Sequence, residues 1–484
     1  MSWVLEIGGQ LVVLVLFLVI IALAGRVIWM RLRRETVAEI LKRHFHPFPV
    51  SNIKITERQS PVHIRADLQR TIEEFVSKTT VRAFFGVTNV RGMDGADFAS
   101  MLDKTTFKMM GSSICPPQYE QIDVGEDEPA QTLQSGLWLL ECDGTRAAAL
   151  FAPIDSGFSC GGGRRMRAQI AAPGDGSAKA LVEGFFRHIE RGVQSARYYR
   201  GKVLSLEAQE SYTGEATGIK VHRLRAVSRD EVILPPETVS LLERNVIEFV
   251  RRREGLHRFR MATKKGLLFY GPPGTGKTHT IRYIAGALEA HTTLLISAEQ
   301  VGLLSEYMTL ARLLQPSIVV IEDVDLIARE RTRMRSESAE LLLNKLLNEM
   351  DGLREDAEIL FILTTNRPEE LEAALAARPG RIDQAIEFPL PGVNERKKLV
   401  RLYSAGVSLE ENTIAEIADR TEKVSAAFLK ELMRRAVQFH LERDGQGLLD
   451  TQDINDALQE ILFSGGSLNL KLLGAAERIE GKGE

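Results

Sequence analysis

An eight-residue motif at positions 271–278 constrains this chain more than any other feature of its sequence. It reads Gly-Pro-Pro-Gly-Thr-Gly-Lys-Thr and fits the pattern GxxxxGKT. An apolar run over 265–270 precedes the motif, and apolar residues at helical spacing follow it over 281–288. The pattern predicts a strand, a phosphate-binding loop and a helix, with loop N–H groups and the positive helix end facing phosphate oxygens.

The residue types in this motif predict a site for ATP and Mg²⁺. We expect Lys277 to contact the β- and γ-phosphates and Thr278 to bind Mg²⁺. The predicted nucleotide-binding residues are Gly271, Pro272, Pro273, Gly274, Thr275, Gly276, Lys277, Thr278 and His279.

Two further apolar runs end in polar side chains. Residues 317–321 lead to Glu322 and Asp323, and residues 359–363 lead through two threonines to Asn366. Carboxylates beside a phosphate-binding loop can hold the magnesium shell and polarise an attacking water, and an amide can orient that water. Any one of these polar residues could be ordinary solvation at a sheet edge, but their order and spacing together argue against coincidence.

With these motifs, residues 231–465 resemble the classical AAA family of AAA+ ATPases. The resemblance implies an α/β fold: an AAA+ P-loop core with a doubly wound parallel sheet over 231–390, followed by a C-terminal helical lid over 391–465. It also implies that Asn366 is the sensor 1 residue and that 351–353 is an intersubunit-signalling motif.

An Arg-Pro-Gly-Arg segment follows the third strand. Its guanidinium groups are suited to transition-state charge, and the resemblance implies that Arg378 and Arg381 are arginine fingers that reach the ATP of a neighbouring subunit. Fingers that act in trans imply a homo-oligomeric ring, usually a hexamer.

The sequence departs from the family at the end of the second strand. The family usually has Asp-Glu there, whereas this chain has Glu322 and Asp323. Direct alignment assigns Glu322 to the magnesium shell and Asp323 to the catalytic base. A shift by one residue would leave Val324 as the base, which is chemically useless. Because Asp is one methylene shorter than Glu, the departure leaves the rate of hydrolysis open.

A second departure concerns the interval between residue 297 and Pro316. Unfoldases of the family usually carry an aromatic-apolar-Gly loop there, which grips an extended polypeptide. Here Val301 and Gly302 have no aromatic residue before them, and Tyr307 fits a helix face better than a gripping loop. The sequence therefore does not favour threading of an unfolded chain.

Residues 7–25 carry no charged side chain, and arginines 26, 31, 33 and 34 follow them. At about 1.5 Å per residue, a helix over this run approaches the roughly 30 Å of a bilayer core. With the positive-inside rule, this predicts a transmembrane anchor (1–30) with the ATPase part in the cytoplasm, at the bacterial or, alternatively, the mitochondrial inner membrane. A buried soluble helix and a signal peptide cleaved after an Ala-x-Ala site at 22–24 are the alternatives.

The sequence pattern of residues 31–230 predicts an α+β domain of unknown function. Apolar runs at 137–140, 147–152 and 166–171 read as strands, and 181–194 reads as a helix. The glycine-rich basic stretch 160–165 lacks the spacing of a phosphate loop and reads as a turn, and 466–484 reads as a flexible tail.

Composition excludes several classes of protein. With 62 Lys and Arg against 65 Asp and Glu, the net charge of −3 argues against nucleic acid as a partner. Three cysteines without a CxxC pair argue against a disulfide framework and a cysteine zinc site. The sequence contains no HExxH motif, which argues against zinc-protease chemistry in this chain.

The acidic string 322–325 and the predicted anchor also partially resemble the mitochondrial cytochrome-bc-complex assembly ATPases, which move a folded protein, while the segment 378–383 equally resembles membrane-anchored AAA proteases. The sequence thus predicts a membrane-anchored AAA+ ATPase that hydrolyses ATP to remodel or translocate a protein. The alternatives are a nucleotide-gated scaffold or sensor with slow turnover, and the ATPase partner of a separate protease.

Overall fold

The computed structural model describes residues 36–88, 96–102, 112–154, 165–195, 198–208, 216–326, 345–346, 348–369, 380–443 and 448–461. These residues belong to two compact units. Unit 1 comprises the chain up to residue 122 together with 130–195, and unit 2 comprises 123–129 and the chain from residue 196 onward.

Unit 1 is an α+β unit built on an antiparallel sheet. Its strands are β1 (Ile53–Pro61), β2 (Thr80–Thr88), β3 (Ser113–Cys115), β4 (Tyr119–Ile122), β5 (Ala130–Leu133), β6 (Gly136–Cys142), β7 (Thr145–Ile154) and β8 (Arg165–Pro173). Its helices are α1 (Val37–Phe45), α2 (Arg65–Val76), α3 (Phe98–Leu102) and α4 (Lys179–Gln194). Six of the described strands form one sheet in the order β1-β8-β7-β6-β2-β3, and β4 pairs with β5.

Both faces of the unit 1 sheet are covered by helices. On β7, Ala149 and Phe151 pack into the core that contains residues of α2 and α4, whereas Ala148 and Leu150 pack into the core that contains residues of α1 and α3. A strand that is buried on both faces reads as a continuous apolar run. This explains why the predicted strands at 137–140, 147–152 and 166–171 and the helix at 181–194 are confirmed.

Unit 2 contains a mostly parallel sheet. Its strands are β9 (Val203–Ala208), β10 (Ala216–His222), β11 (Lys265–Tyr270), β12 (Thr292–Ile296), β13 (Ser317–Ile321), β14 (Ile359–Thr365) and β15 (Gln384–Glu387), in the order β10-β9-β12-β13-β14-β11-β15. Among the described strands of this sheet, only the pairing of β10 with β9 is antiparallel. The helices before and within the sheet are α5 (Pro236–Leu242), α6 (Glu248–Arg251), α7 (Arg253–Arg258), α8 (Lys277–Ala287) and α9 (Leu304–Leu313).

Four helices in the described part of the chain follow the sheet of unit 2 and form the helical region expected as a lid. They are α10 (Val393–Tyr403), α11 (Glu411–Arg420), α12 (Ala426–Glu442) and α13 (Thr451–Gln459). The stripe of Phe428, Leu429, Leu432, Met433 and Ala436 is buried in their common core. The α/β core with a parallel sheet and a C-terminal helical region is therefore confirmed.

The β9–β10 hairpin lies in the sheet of unit 2, although the sequence placed it in the region 31–230. Thr293 and Leu294 of β12 pair in parallel with Val203 and Leu204 of β9. Such non-local pairing leaves no local sequence signal, so the unit boundary near residue 195 differs from the expected boundary at 230.

The predicted localisation, a single-pass membrane protein, is contradicted. No helix in the described part of the chain, which begins at residue 36, is both long and apolar enough to cross a bilayer. The longest described helix, Ala426–Glu442, has 17 residues, and charged or polar residues interrupt each helix of the described part. The apolar run 7–25 on which the prediction depended, the stretch 160–164 and the tail 466–484 lie outside the described residues.

Candidate nucleotide-binding site

The motif at 271–278 forms the predicted strand–loop–helix unit. Strand β11 ends at Tyr270, and α8 begins at Lys277 after a loop that has no regular structure. Gly276, which precedes the helix, has a φ of 100°, a left-handed conformation that favours glycine. The loop therefore presents the N-terminus of α8, with its unsatisfied N–H groups and positive dipole end, to the space above β11.

Two glycines in the loop make contacts that no other residue could make. At Gly271 a Cβ atom would lie 2.2 Å from the carbonyl oxygen of Phe388, and at Gly274 it would lie 2.8 Å from Oγ of Ser425. The backbone N–H of Ala427 donates a 3.1 Å hydrogen bond to the carbonyl oxygen of Gly274. The helical region thus contacts the loop directly at the start of α12.

Lys277 is buried, and its ammonium group lies within the loop. Nζ donates to the carbonyl oxygens of Gly271 (2.7 Å) and Pro272 (2.9 Å). Burial lowers the pKa of Lys277 to about 8, against the opposing effect of the carboxylates of Asp323 and Asp325. A cation at a loop of this shape is suited to bind the phosphates of a nucleotide. On binding, Nζ would exchange its contacts with the two carbonyl oxygens for contacts with phosphate oxygens.

Thr278 and Glu322 are suited to hold Mg²⁺. Oγ1 of Thr278 donates a 2.8 Å hydrogen bond to Oε1 of Glu322. A hydroxyl and a carboxylate oxygen at this separation are hard oxygen donors of the kind that Mg²⁺ prefers. The structure therefore brings both predicted magnesium ligands together at the carboxyl end of β13.

Asp323 and Asn366 meet at the carboxyl ends of neighbouring strands β13 and β14. Nδ2 of Asn366 donates to Oδ1 of Asp323 at 3.0 Å, and the Asp323 N–H donates to Oγ1 of Thr364, also at 3.0 Å. Asp323 has a φ of 51°, in the left-handed region that non-glycine residues rarely adopt. Strain of this kind persists where the surroundings fix it, often at functional sites.

A cavity of about 460 Å³ opens over the loop. Its phosphate-side lining includes Pro273 to Thr280, Asp323 and Asn366, and residues 231–234 line it as well. Nε2 of His279 donates a 3.2 Å hydrogen bond to the carbonyl oxygen of Glu231, which ties that segment to α8. The helical region contributes Leu399, Tyr403, Ala426, Ala427 and Lys430 to the lining.

The predicted arginine finger Arg381 does not lie at the cavity. Its guanidinium forms an ion pair with Asp351 and is 12% exposed. Among the described lining residues of the cavity, Arg381 does not occur. Arg378 lies outside the described residues. In one subunit, then, the structure brings together the loop, Glu322, Asp323 and Asn366, but not Arg381.

Tyr307 is a core residue. It lies in α9, its side chain is fully buried, and its hydroxyl accepts a 2.7 Å hydrogen bond from the N–H of Leu206 and donates to Gln300. The expectation that Tyr307 belongs to a helix face is confirmed.

Several lining residues were not expected from the sequence. Residues 231–234, Tyr403 and Lys430 reach the cavity only through the folding of distant segments. The acid Asp325 also escaped assignment, although it stands two residues after Asp323 in a string that the sequence already marked. The acidic string 322–325 was therefore the sequence signal that could have identified Asp325 as part of the site.

The fold and site define a P-loop nucleotide-binding domain with a helical lid. Residues 267–390 match the family described as ATPase family associated with various cellular activities (AAA). This part of the chain is an AAA ATPase domain.

Similar proteins share that domain but extend well beyond it. The chain is 30% identical over 258 residues to the proteasome-activating nucleotidase of Methanothermobacter thermautotrophicus, covering 51% of this chain and 62% of that protein. It is 30% identical over 250 residues to the ATP-dependent zinc metalloprotease FtsH of Thermus thermophilus, covering 49% of this chain and 39% of that protein. The chain thus spans less than two thirds of the length of either relative.

A solved structure, the crystal structure of the FIGL-1 AAA domain in complex with ADP, matches with a TM-score of 0.42 and 22% identity over 53% of this chain and 94% of that chain.

Proposed function

We propose that this chain hydrolyses ATP with Mg²⁺ and, as a homo-oligomeric ring, uses the reaction to remodel or translocate a protein. The observation that carries the proposal is the convergence of Lys277, Thr278, Asp323 and Asn366 on one cavity. A cation, an N-terminal helix end, a carboxylate and an amide in one cavity meet the requirements of water attack on a γ-phosphate.

Each residue has a definite role in this mechanism. Lys277 would contact the β- and γ-phosphates, and Thr278 with Glu322 would hold Mg²⁺, which would neutralise charge on the phosphate oxygens. Asp323 accepts the proton of the attacking water as general base. Asn366 donates to one carboxylate oxygen of Asp323, and we assign the other oxygen to the water.

A ring is part of the proposal because one subunit supplies only part of the site. Arg381 pairs with Asp351 of its own subunit and not with the cavity of that subunit. We assign Arg381, together with Arg378, to the γ-phosphate bound by a neighbouring subunit, where a guanidinium offsets transition-state charge. The ring is expected to be a hexamer.

The names of the similar proteins support a protein substrate. One is an ATP-dependent protease, and the other is a nucleotidase that activates a proteasome. The same names favour a second candidate, the ATPase partner of a separate protease, because this sequence has no HExxH motif of its own. A third candidate is a scaffold with slow turnover, which the shorter base Asp323 leaves open. The steady-state rate of ATP hydrolysis distinguishes it from the other two.

Rings mixed from two inactive variants test the trans arrangement. Asp323→Asn should remove the base and Arg381→Ala the finger, so each variant alone should hydrolyse ATP slowly. In mixed rings an Asp323→Asn subunit lends its Arg381 to a neighbour that has an intact Asp323, and activity should return.

The matched control is Arg252→Ala, which removes an exposed arginine that pairs with Glu248 on its own helical stretch. It should leave the rate unchanged alone and in mixtures. Absence of recovered activity at every mixing ratio, with co-assembly shown by co-purification of one variant with an affinity-tagged copy of the other, would refute the trans role.

A further inference from the structure

Asp325 is a buried acid to which the mechanism above gives no role. It lies two residues after Asp323, beyond the end of β13, and only 3% of its surface is exposed. Among the described lining residues of the cavity it does not occur, so it is not placed to touch a nucleotide. A buried carboxylate is costly unless it is hydrogen-bonded, so its partners indicate its purpose.

Its partners are consecutive residues at the end of β14. Oδ1 of Asp325 accepts a 2.9 Å hydrogen bond from the hydroxyl of Thr365 and a 3.1 Å bond from the backbone N–H of Asn366. The Thr365 hydroxyl oxygen in turn accepts from the N–H of Arg367 at 2.9 Å. One carboxylate oxygen thereby fixes the turn that carries Asn366.

The same turn is joined to Asp323 by independent bonds. The amide of Asn366 donates to Asp323, and the Asp323 N–H donates to Thr364, both at 3.0 Å. The ends of β13 and β14 are thus cross-linked in both directions. Without Asp325 the backbone of Asn366 would lose its anchor, and the amide could drift from the position of the attacking water.

We infer that Asp325 is a positioning residue, which holds Asn366 in place for hydrolysis through the backbone N–H of Asn366 and the hydroxyl of Thr365. The inference rests on the proposed function and deepens it. Because the hydrogen bonds of Asp325 reach Asn366 and not the phosphates, the effect falls on turnover. The carboxylate of Asp325 also favours the charged form of Lys277, so nucleotide affinity is compared well below the pKa of Lys277, where Lys277 stays charged in every variant.

Two substitutions test whether Asp325 acts as a hydrogen-bond acceptor or only fills space in the core. Asp325→Ala removes both bonds, and kcat should fall roughly 10- to 100-fold, the range seen when supporting residues or small displacements are altered. Asp325→Asn keeps one acceptor oxygen of the same reach, and kcat should stay within about fivefold of the parent. The Kd for ATP, measured at about pH 6.5 so that Lys277 stays charged, should change by less than about threefold in both.

A double-mutant cycle tests whether Asp325 acts through Asn366. If it does, Asp325→Ala should cost almost nothing further in a protein that already carries Asn366→Ala, because coupled residues are not additive. A residue that merely stabilised the fold would lower the rate by the same factor in both backgrounds, and would lower the melting temperature and ATP affinity as well.

Thr365→Val provides a second route should Asp325→Ala fail to fold. It removes the bridging hydroxyl, keeps the shape, and should lower kcat less than Asp325→Ala, again without effect in the Asn366→Ala background. The matched control is Thr293→Val on β12, since the hydroxyl of Thr293 is buried with no hydrogen-bond partner in the described part of the chain. That control should retain the parental rate.

The outcomes separate this inference from the proposed function. A parent protein that does not hydrolyse ATP contradicts both. Three results with an active parent contradict the role of Asp325 alone: additive losses in the cycle, a loss of ATP affinity of more than about threefold, or an Asp325→Asn protein as slow as Asp325→Ala.

Discussion

Substitution of Gly274 by alanine tests the contact between the phosphate-binding loop and the helical region. Gly274 has a φ of +77°, and an added Cβ would lie 2.8 Å from Oγ of Ser425 and 2.9 Å from Cβ of Ala427. The left-handed backbone costs an alanine about 1–2 kcal/mol. Crowding against Ser425, which is fully buried and caps α12 through the N–H of Phe428, adds about 1–3 kcal/mol.

The crowding should appear as weaker nucleotide binding, because the lid side of the cavity cannot close on the loop as before. About 1–3 kcal/mol corresponds to a roughly five- to 150-fold rise in the Kd for ATP. Isothermal titration and thermal unfolding measure the two effects.

Gly144→Ala is the matched control for Gly274→Ala. Gly144 has a φ of +76°, nearly that of Gly274, and no atom within 4 Å of an added Cβ, and it lies in the turn between β6 and β7 of unit 1. It should show the backbone cost without a change in Kd. If Gly274→Ala binds ATP as tightly as Gly144→Ala, the loop–lid contact does not support the site.

Three further predictions concern charge. Burial lowers the pKa of Lys277 to about 8, and only the ammonium form of Lys277 attracts phosphates. The affinity for ATP should therefore be highest below about pH 8 and fall about tenfold per pH unit above it in titrations. An affinity that stays constant up to about pH 10 would contradict this. Thr278→Val removes one of the two assigned magnesium ligands and leaves Glu322, so the gain in ATP affinity on adding Mg²⁺ should become smaller, whereas an undiminished magnesium dependence would count against the assignment. Burial lowers the pKa of His63 from 6.5 to about 4, so below pH 6.5 the unfolded state binds the proton first and unit 1 should lose up to about 3 kcal/mol of stability by pH 4. His63→Gln should flatten that part of the denaturation profile, and an unchanged profile would refute it.

The sequence predicted those parts of the site whose signals are local. The loop at 271–278, the strand before it and the helix after it follow from eight residues and their neighbours, and the paired acids follow directly after the apolar strand β13. A loop of this backbone conformation requires glycine, and a strand buried on both faces requires an apolar run, so both features are visible in the local sequence.

The remainder depends on contacts between segments far apart in the chain. The pairing of β9 with β12, the bond from Ala427 to Gly274 and the reach of Tyr403 into the cavity leave no mark in the residues nearby. Asp325 shows the same limit at close range. Its partners lie on β14 and just beyond it, and only the folded sheet brings them within 3.1 Å. Physical chemistry predicts that a buried acid needs donors, but not which strand supplies them.

The release of phosphate from ATP by the parent protein and by Asp323→Asn tests the central claim most directly. The parent should hydrolyse ATP in the presence of Mg²⁺. The amide variant should bind ATP within about threefold of the parental Kd and release almost no phosphate, because it keeps the size of the side chain and loses the base. A parent that binds ATP without hydrolysing it, or an Asp323→Asn protein that hydrolyses at the parental rate, would contradict the account.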